Sequence, residues 1–357
     1  MNQRRLSRVL ERMAEEGLSQ AIITDSVSIF YLTGKMIEPG ERFLALYLNT
    51  NGAHRLVVNG LFAFPEDIGV TTLWYGDTED GPALLSQCAD RDKPLGIDKD
   101  MPARFLLRLM ELGAASAYKN ASACVDTVRA RKDDAEAALM RKASRLNDSA
   151  MEAFKPYIKT GVTELELRDI LLRIYKELGA DGPSFAPLIG FGPNAAIGHH
   201  LPDGTALRDG DCVLIDVGCK KDGYCADMTR TYFKGRAPER MRAVYDTVKA
   251  AGDAARSLIK PGVRLSDVDG AARTVIENAG YGPYFTHRLG HFIGLDVHEA
   301  GDVSAASDIV AAPGMIFSIE PGIYLPGEGG VRIEDLVLVT AAGCEVLNAV
   351  PRDLTVL

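Results

Sequence analysis

Four acidic residues stand within or directly after apolar, strand-like segments in the second half of this 357-residue chain. Burying a carboxylate is costly unless a proton or a cation compensates its charge. The chain is therefore expected to fold so that these acids meet at a shared cation. The alternative interpretation places one or two of them on an exposed strand face. The four residues are Asp216, Asp227, Glu320 and Glu334.

The first two acids fall on a predicted hairpin. The segments 213–218 and 224–231 flank the turn 220–223, which ends in glycine. With the turn centred in the middle of 220–223, Asp216 and Asp227 lie directly opposite each other. Opposed side chains on one face lie about 4.5–5.5 Å apart at Cβ. Two carboxylates held at that distance require a proton or a cation between them.

The second pair repeats this pattern. The segments 315–320 and 330–337 flank a loop centred on Gly327, which places Glu320 opposite Glu334. Four buried carboxylates supply the hard oxygen ligands that suit Mn²⁺, Co²⁺, Fe²⁺ or Zn²⁺. The two pairs together predict a site for two metal ions.

The histidines are concentrated in the same half of the chain. Five of the six fall within one hundred residues, and three of these lie in the glycine-broken, aromatic segment 284–299, which is not typical of an amphipathic helix. Beside four acids, one imidazole is expected to bind metal and others to hold substrate or a developing oxyanion. The five are His199, His200, His287, His291 and His298.

Composition excludes other classes of protein. The net charge is −9 and no long run of Lys or Arg occurs, which argues against a nucleic-acid binder. The segment 1–17 is patterned as an amphipathic helix without a secretory core, and no later stretch approaches 18 apolar residues. A cytoplasmic protein that spans no membrane is expected. The six cysteines form no CxxC pair and are expected to be reduced, with a bridge between Cys219 and Cys225 left open.

Two domains are predicted. Residues 1–126 alternate helix and strand patterns, as in an α/β domain, and carry no chemical motif. Residues 130–357 read as α+β, with most of the candidate site residues on strands. Long helices are predicted in this second domain at 133–159, 163–178, 240–258 and 265–279.

The order of candidate ligands resembles that of a known family. Their contexts are IDVG, CADMTRT, HRLGHFIGLDVHE, SIEPGIY and GVRIED. In these motifs the chain resembles the pita-bread metallopeptidases, and among them the Xaa-Pro aminopeptidases and Xaa-Pro dipeptidases (prolidases). The resemblance implies an α/β creatinase-like N-terminal domain followed by an α+β pita-bread domain like that of methionine aminopeptidase.

The resemblance also implies a cofactor and a reaction. Two divalent ions, with Mn²⁺ the first choice and Co²⁺, Zn²⁺ or Fe²⁺ as alternatives, would hold a bridging hydroxide that attacks the scissile peptide bond. Glu320 would shuttle the proton. The substrates implied are peptides or dipeptides with proline after the N-terminal residue, and a homodimer is implied as well. The implied metal ligands are Asp216, Asp227, His291, Glu320 and Glu334.

Other residues take roles around the substrate by the same resemblance. His298 would stabilise the tetrahedral intermediate, and His199 would lie near the scissile nitrogen. His287 would line the pocket for the proline ring, and Arg332 would orient the ligand carboxylates. His200 receives no role and is expected at the surface.

The sequence departs from the family at one point. Some prolidases carry an arginine shortly after the His-Glu pair, where it binds the free carboxylate of a dipeptide, but the segment 300–303 contains no cation. This favours an Xaa-Pro aminopeptidase over an Xaa-Pro dipeptidase. A small-amide C–N hydrolase on the same fold and a non-catalytic peptide-binding homologue are the further alternatives.

Overall fold

A computed structural model describes residues 1–357, which separate into two units, Met1–Arg129 and Ala130–Leu357. In the first unit, a mixed six-stranded sheet has the strand order β4-β3-β2-β1-β5-β6. Its strands are β1 (Gln20–Ile23), β2 (Ala45–Asn49), β3 (Arg55–Asn59), β4 (Thr71–Tyr75), β5 (Pro94–Ile97) and β6 (Ala117–Asn120). Its helices are α1 (Gln3–Glu15), α2 (Ser26–Thr33), α3 (Gly81–Ser86), α4 (Ala103–Glu111) and α5 (Ser122–Arg129).

The second unit contains four long helices. Two of them begin at capping boxes, and the other two begin directly after Pro238 and Arg264. At the start of α6, Asp133 and Glu136 form a capping box, and Thr163 and Glu166 do the same for α7. These caps explain why the starts of the predicted and observed helices agree closely. The four helices are α6 (Asp134–Phe154), α7 (Glu164–Glu177), α8 (Glu239–Leu258) and α9 (Leu265–Asn278).

Thirteen strands complete the second unit. They form sheets with the orders β11-β10-β7, β12-β9-β8, β14-β13-β15-β18-β19 and β16-β17. The first seven are β7 (Gly182–Pro183), β8 (Leu188–Phe191), β9 (Cys212–Val217), β10 (Cys219–Lys221), β11 (Tyr224–Cys225), β12 (Met228–Phe233) and β13 (Gly290–Phe292). The other six are β14 (Glu299–Val303), β15 (Ile316–Ile319), β16 (Gly322–Leu325), β17 (Gly329–Arg332), β18 (Asp335–Val339) and β19 (Cys344–Val346).

The core of the second unit has two parts, each made of a helix pair and a sheet. Apolar side chains of α6 and α7 pack on the sheet β12-β9-β8. Those of α8 and α9 pack on the five-stranded sheet and on β16 and β17. A backbone hydrogen bond of 3.0 Å from Glu334 N to Thr229 O joins the two sheets. The candidate ligands lie on the strands that meet there.

The register of the first hairpin corrects the sequence prediction. Asp216 pairs with Thr229, not with Asp227. The turn is centred one residue further along, because Asp222 (φ 51°) and Gly223 (φ 81°) occupy its two middle positions. Two consecutive residues with positive φ form the tight turn that best suits a two-residue hairpin, and Asp-Gly is a favoured sequence for it. Asp227 therefore precedes β12 rather than lying within it.

The register of the second hairpin agrees with the prediction. Ile319 pairs with Asp335 in β15 and β18, and Gly322 pairs with Arg332 in β16 and β17. Glu320 and Glu334 lie between these two pairs at corresponding positions. All six cysteines are free, so the possible bridge between Cys219 and Cys225 is not formed. No helix has the length and apolar character needed to cross a membrane.

Candidate metal centre

The five predicted ligands come together although more than one hundred residues separate the first from the last. Asp216 lies in β9 and His291 in β13, whereas Asp227, Glu320 and Glu334 lie at strand ends. One ligand atom from each of Asp227, His291 and Glu334 lies within 4.8 Å of the other two. His291 Nε2 also lies 3.5 Å from Glu320 Oε1. This is the spacing of side chains that surround an ion.

Three buried carboxylate oxygens in this cluster have no hydrogen-bond partner. They are Asp216 Oδ1, Asp227 Oδ1 and Glu334 Oε1. The other oxygens of Asp216 and Glu334 are engaged, by Arg332 Nη2 at 2.5 Å and by Thr229 Oγ1 at 2.7 Å. Buried polar atoms are nearly always paired, and an ion that is bound at the site is a common explanation for exceptions. The donor set therefore fits divalent cations.

His291 presents the nitrogen that a metal needs. Its Nδ1 lies 3.2 Å from the carbonyl oxygen of Phe292, to which a protonated Nδ1 donates. Nε2 is then unprotonated and faces Asp227 Oδ2 at 3.6 Å. Burial, and then the charge of His298, lower the pKa of His291 to about 3. The ring is therefore neutral and able to act as a ligand at physiological pH.

Burial and mutual repulsion disfavour the charged forms of the acids. Burial, and then Glu334 and Asp216, raise the pKa of Asp227 well above its usual range. Burial, and then Glu320 and Asp216, do the same for the pKa of Glu334. The pKa of Glu320 rises to about 7, with burial the largest cause. Cations among these carboxylates would favour the ionised forms instead.

Arg332 supports the cluster through hydrogen bonds. Besides its bond to Asp216, its Nε donates to Thr229 Oγ1 at 3.1 Å, and Thr229 in turn donates to Glu334. Its Nη1 donates to Tyr324 Oη at 2.7 Å. Arg332 is 4% exposed and so holds two of the acids in place from within the protein. Arg332 thus contacts one predicted ligand directly, and its role in orienting the ligands stays a prediction.

The tautomer of His287 follows from the same chain of bonds. Tyr324 Oη accepts from Arg332, so its single proton is donated to His287 Nε2, 2.9 Å away. The proton of the ring is then on Nδ1, which donates to the carbonyl of Arg288 at 2.7 Å. Burial is the largest cause that lowers the pKa of His287 to about 4, which agrees with a neutral ring.

The two remaining predicted histidines lie on the solvent side of the cluster. The ring of His298 lies perpendicular to that of His291, with 4.2 Å between the centroids. Partial burial, then Arg288 and His199, lower the pKa of His298. His199 is exposed and its charge also acts on His287. The structure thus brings every predicted site residue to one region, with His199 the least constrained.

His200 corrects the expectation of a surface residue without a role. Its Nε2 lies 2.6 Å from Oε2 of Glu164, which is fully buried. Glu164 also accepts from the backbone amides of Phe191 and Asp203 and from Asn194 Nδ2. This carboxylate therefore binds both ends of the loop that carries His199, at Phe191 and at Asp203. The sequence contained no signal for it, because Glu164 reads as an ordinary residue in the first turn of a helix.

Sequence reasoning also missed Thr229, Tyr324 and Ser318. Ser318 Oγ accepts from the backbone amide of His291 and donates to Glu320 Oε1 at 3.0 Å. Strand periodicity was the available signal, since Thr229 and Ser318 each lie two residues from a predicted ligand and so share its face. The hydrogen-bond partners of these side chains come from other strands, which the local pattern does not reveal.

The comparisons with known proteins identify the class and then the family. Residues 138–341 match the model of metallopeptidase family M24, and residues 5–131 match the creatinase/prolidase N-terminal domain. The chain belongs to metallopeptidase family M24. It is therefore an enzyme, a metallo-exopeptidase, which confirms the prediction drawn from the motifs.

Individual relatives agree over the whole length. The chain is 36% identical to "Putative dipeptidase YkvY" of Bacillus subtilis, over 99% of each chain. The dipeptidase of Pyrococcus horikoshii OT3 superposes with a TM-score of 0.93 at 35% identity, over 99% of this chain and 100% of that one. The prolidase of Thermococcus sibiricus superposes with a TM-score of 0.95 at 32% identity, over 100% of this chain and 99% of that one. These matches confirm the predicted fold of both domains.

Proposed function

We propose that this metallopeptidase hydrolyses Xaa-Pro dipeptides with two divalent cations. The observation that carries the proposal is the set of buried, unpaired carboxylate oxygens in the cluster that also contains His291. The side chains that would hold the cations are Asp216, Asp227, His291, Glu320 and Glu334. Four carboxylates balance the charge of two divalent ions. Similarity to proteins named dipeptidase and prolidase supports the choice of substrate.

Divalent cations held by these residues would polarise a peptide carbonyl and lower the pKa of water. Glu320, whose side chain is 16% exposed, reaches both the cluster and the solvent. Its carboxylate would take the proton from the attacking water and pass it to the leaving nitrogen. Ser318 holds one oxygen of Glu320 for that purpose.

The histidines around the cluster would bind and stabilise the reacting peptide. His298, beside His291, would donate a hydrogen bond to the oxyanion of the tetrahedral intermediate. His199 would contact the scissile nitrogen. His287, a neutral ring oriented by its hydrogen bond to Tyr324, would present a ring face to proline.

We propose Mn²⁺ as the ion, because oxygen donors with a single imidazole suit it, with Co²⁺, Zn²⁺ and Fe²⁺ as competitors. A cytoplasmic location and a homodimer stay predictions from the sequence. Metal content measured after purification without added metal would identify the ion that the protein retains.

The test of the function is a panel of substrates with the metal-free and the Mn²⁺-loaded protein. Ala-Pro, Ala-Pro-Ala and Ala-Ala would be compared by release of the free N-terminal residue. We expect metal-dependent hydrolysis of Ala-Pro, and expect Asp227→Ala to lose both bound metal and activity. Full activity of the thoroughly metal-free protein would refute the mechanism, and hydrolysis of none of the three would refute the peptidase assignment.

An Xaa-Pro aminopeptidase is the second candidate. The observation in its favour is that the segment 300–303, after the His298–Glu299 pair, carries Asp302 and no cation. In the structure Asp302 pairs with His291 across β13 and β14, so this segment offers no positive charge to a substrate carboxylate. Cleavage of Ala-Pro-Ala at a rate equal to or above that of Ala-Pro would favour this candidate over the dipeptidase.

A further inference from the structure

A dipeptide differs from a longer peptide by the free carboxylate on its second residue. An enzyme that selects dipeptides needs a cation at the distance of one residue from the scissile bond, and a guanidinium is the side chain best shaped to bind a carboxylate. We propose that Arg288 binds the free carboxylate of the dipeptide, an inference that rests on the proposed function. Arg288 would then be the residue that limits the length of the substrate.

The other cations beside the cluster are already committed. Arg332 is buried and bonds to Asp216, Thr229 and Tyr324. Arg273 pairs with both oxygens of Asp269 and donates to two backbone carbonyls. Neither guanidinium can turn to a substrate without leaving a buried acid unpaired, which is costly.

Arg288 is in the opposite situation. It is exposed and its guanidinium forms no ion pair or hydrogen bond within the protein. In the chain it directly follows His287 and lies three residues before His291. A cation that is exposed and free of partners beside these two histidines is available to a bound substrate.

The backbone on both sides of this residue is anchored to the site. The carbonyl of Arg288 accepts from His287 Nδ1 at 2.7 Å, and the carbonyl of the next residue, Leu289, accepts from the amide of Glu320 at 2.8 Å. Leu289 is fully buried whereas Arg288 is exposed, so only the arginine projects outward. The backbone of Arg288 is thus fixed between His287, the proposed proline-binding residue, and Glu320, the proposed proton shuttle.

This arrangement would replace the arginine that the segment after Glu299 lacks. The proline ring beside His287 would place its own carboxylate next to residue 288. A longer peptide has a neutral amide at that position and would gain nothing from the guanidinium.

The test compares Ala-Pro with Ala-Pro-NH₂, which lacks the carboxylate charge, for the wild type, Arg288→Gln and Arg288→Lys. Loss of one charge-assisted contact should raise the KM for Ala-Pro by about 10- to 100-fold in Arg288→Gln. The KM for Ala-Pro-NH₂ should stay within about twofold of the wild type, and Arg288→Lys should restore part of the loss. Arg242→Gln, an exposed arginine on α8, is the matched control and should change neither value.

Equal effects of Arg288→Gln on the acid and on the amide, or no effect on either, would overturn the inference while leaving the proposed function intact. A wild type that hydrolyses neither compound would instead refute the proposed function, and the inference about Arg288 would fall with it.

Discussion

The metal-free protein should lose stability as the pH rises, and Glu320 should account for a measurable part of that loss. Its pKa is about 7 in the folded protein against a usual value of 4.5, so the folded state binds the proton more tightly than the unfolded state does. A carboxyl group with a raised folded pKa contributes stability at low pH, which is lost as the pH rises through the folded value.

The size of the effect follows from the two pKa values. The full shift, from 4.5 to about 7, corresponds to about 3 kcal/mol once the group is ionised in both states. Between about pH 5.5 and about pH 8.5 the unfolding free energy should fall by about 2 kcal/mol. The rest of the full effect has already been lost below about pH 5.5. Asp227 and Glu334 shift in the same direction, so the wild type should fall by more than this.

The assay is urea unfolding in the presence of a chelator, for the wild type and for Glu320→Gln, which cannot ionise. The difference in unfolding free energy between the two proteins should change by about 2 kcal/mol across that pH range. Glu277→Gln, on the exposed side of α9, is the control and should run parallel to the wild type. Added Mn²⁺ should reverse the slope, because the ion binds the ionised carboxylates.

If the unfolding free energies of the wild type and of Glu320→Gln changed in parallel with pH, the reasoning would be refuted. Glu320 would then have the same pKa in the folded and the unfolded state. A metal-free wild type that is most stable at about pH 8.5 would also refute the reasoning.

Two further variants test the groups that support the site. Thr229→Val removes the hydroxyl between Arg332 and Glu334 and should weaken metal binding or kcat by about 10- to 100-fold, as measured by metal titration and by hydrolysis of Ala-Pro. Wild-type affinity and kcat would show that this hydroxyl orients nothing. Glu164→Ala leaves His200 and a buried backbone amide unpaired and should cost about 3 kcal/mol of unfolding free energy in urea. A cost below about 0.5 kcal/mol would contradict the role given to Glu164.

Local sequence signals predicted the long helices of the second unit, and the structure brings the five predicted ligands together. Helices α6 to α9 follow from apolar periodicity, and two of them also from capping residues, both of which act within one or two turns of chain. The motifs around Asp216 and Glu320 predicted a metal site because the chemistry of buried acids does not depend on where the strands finally lie.

The partners of the ligands could not be predicted in this way. Thr229 meets Glu334 across 105 residues, and Arg332 meets Asp216 across 116. Even the strand partner of Asp216 lies two residues from the predicted one, since the centre of the turn depended on which of its residues adopt positive φ. A shift of this kind changes which side chain opposes which across the strands.

The sequence by itself therefore determined the class of chemistry, because it places four carboxylates and a histidine in apolar segments, where divalent ions are needed to compensate the charge. The tertiary structure decided how those ligands are held, through Thr229, Tyr324 and Ser318, and which cation is left unpaired, namely Arg288. The physical reason is that periodicity and turn chemistry act between near neighbours in the chain. The contacts between the two sheets join segments that only packing of the whole unit brings together.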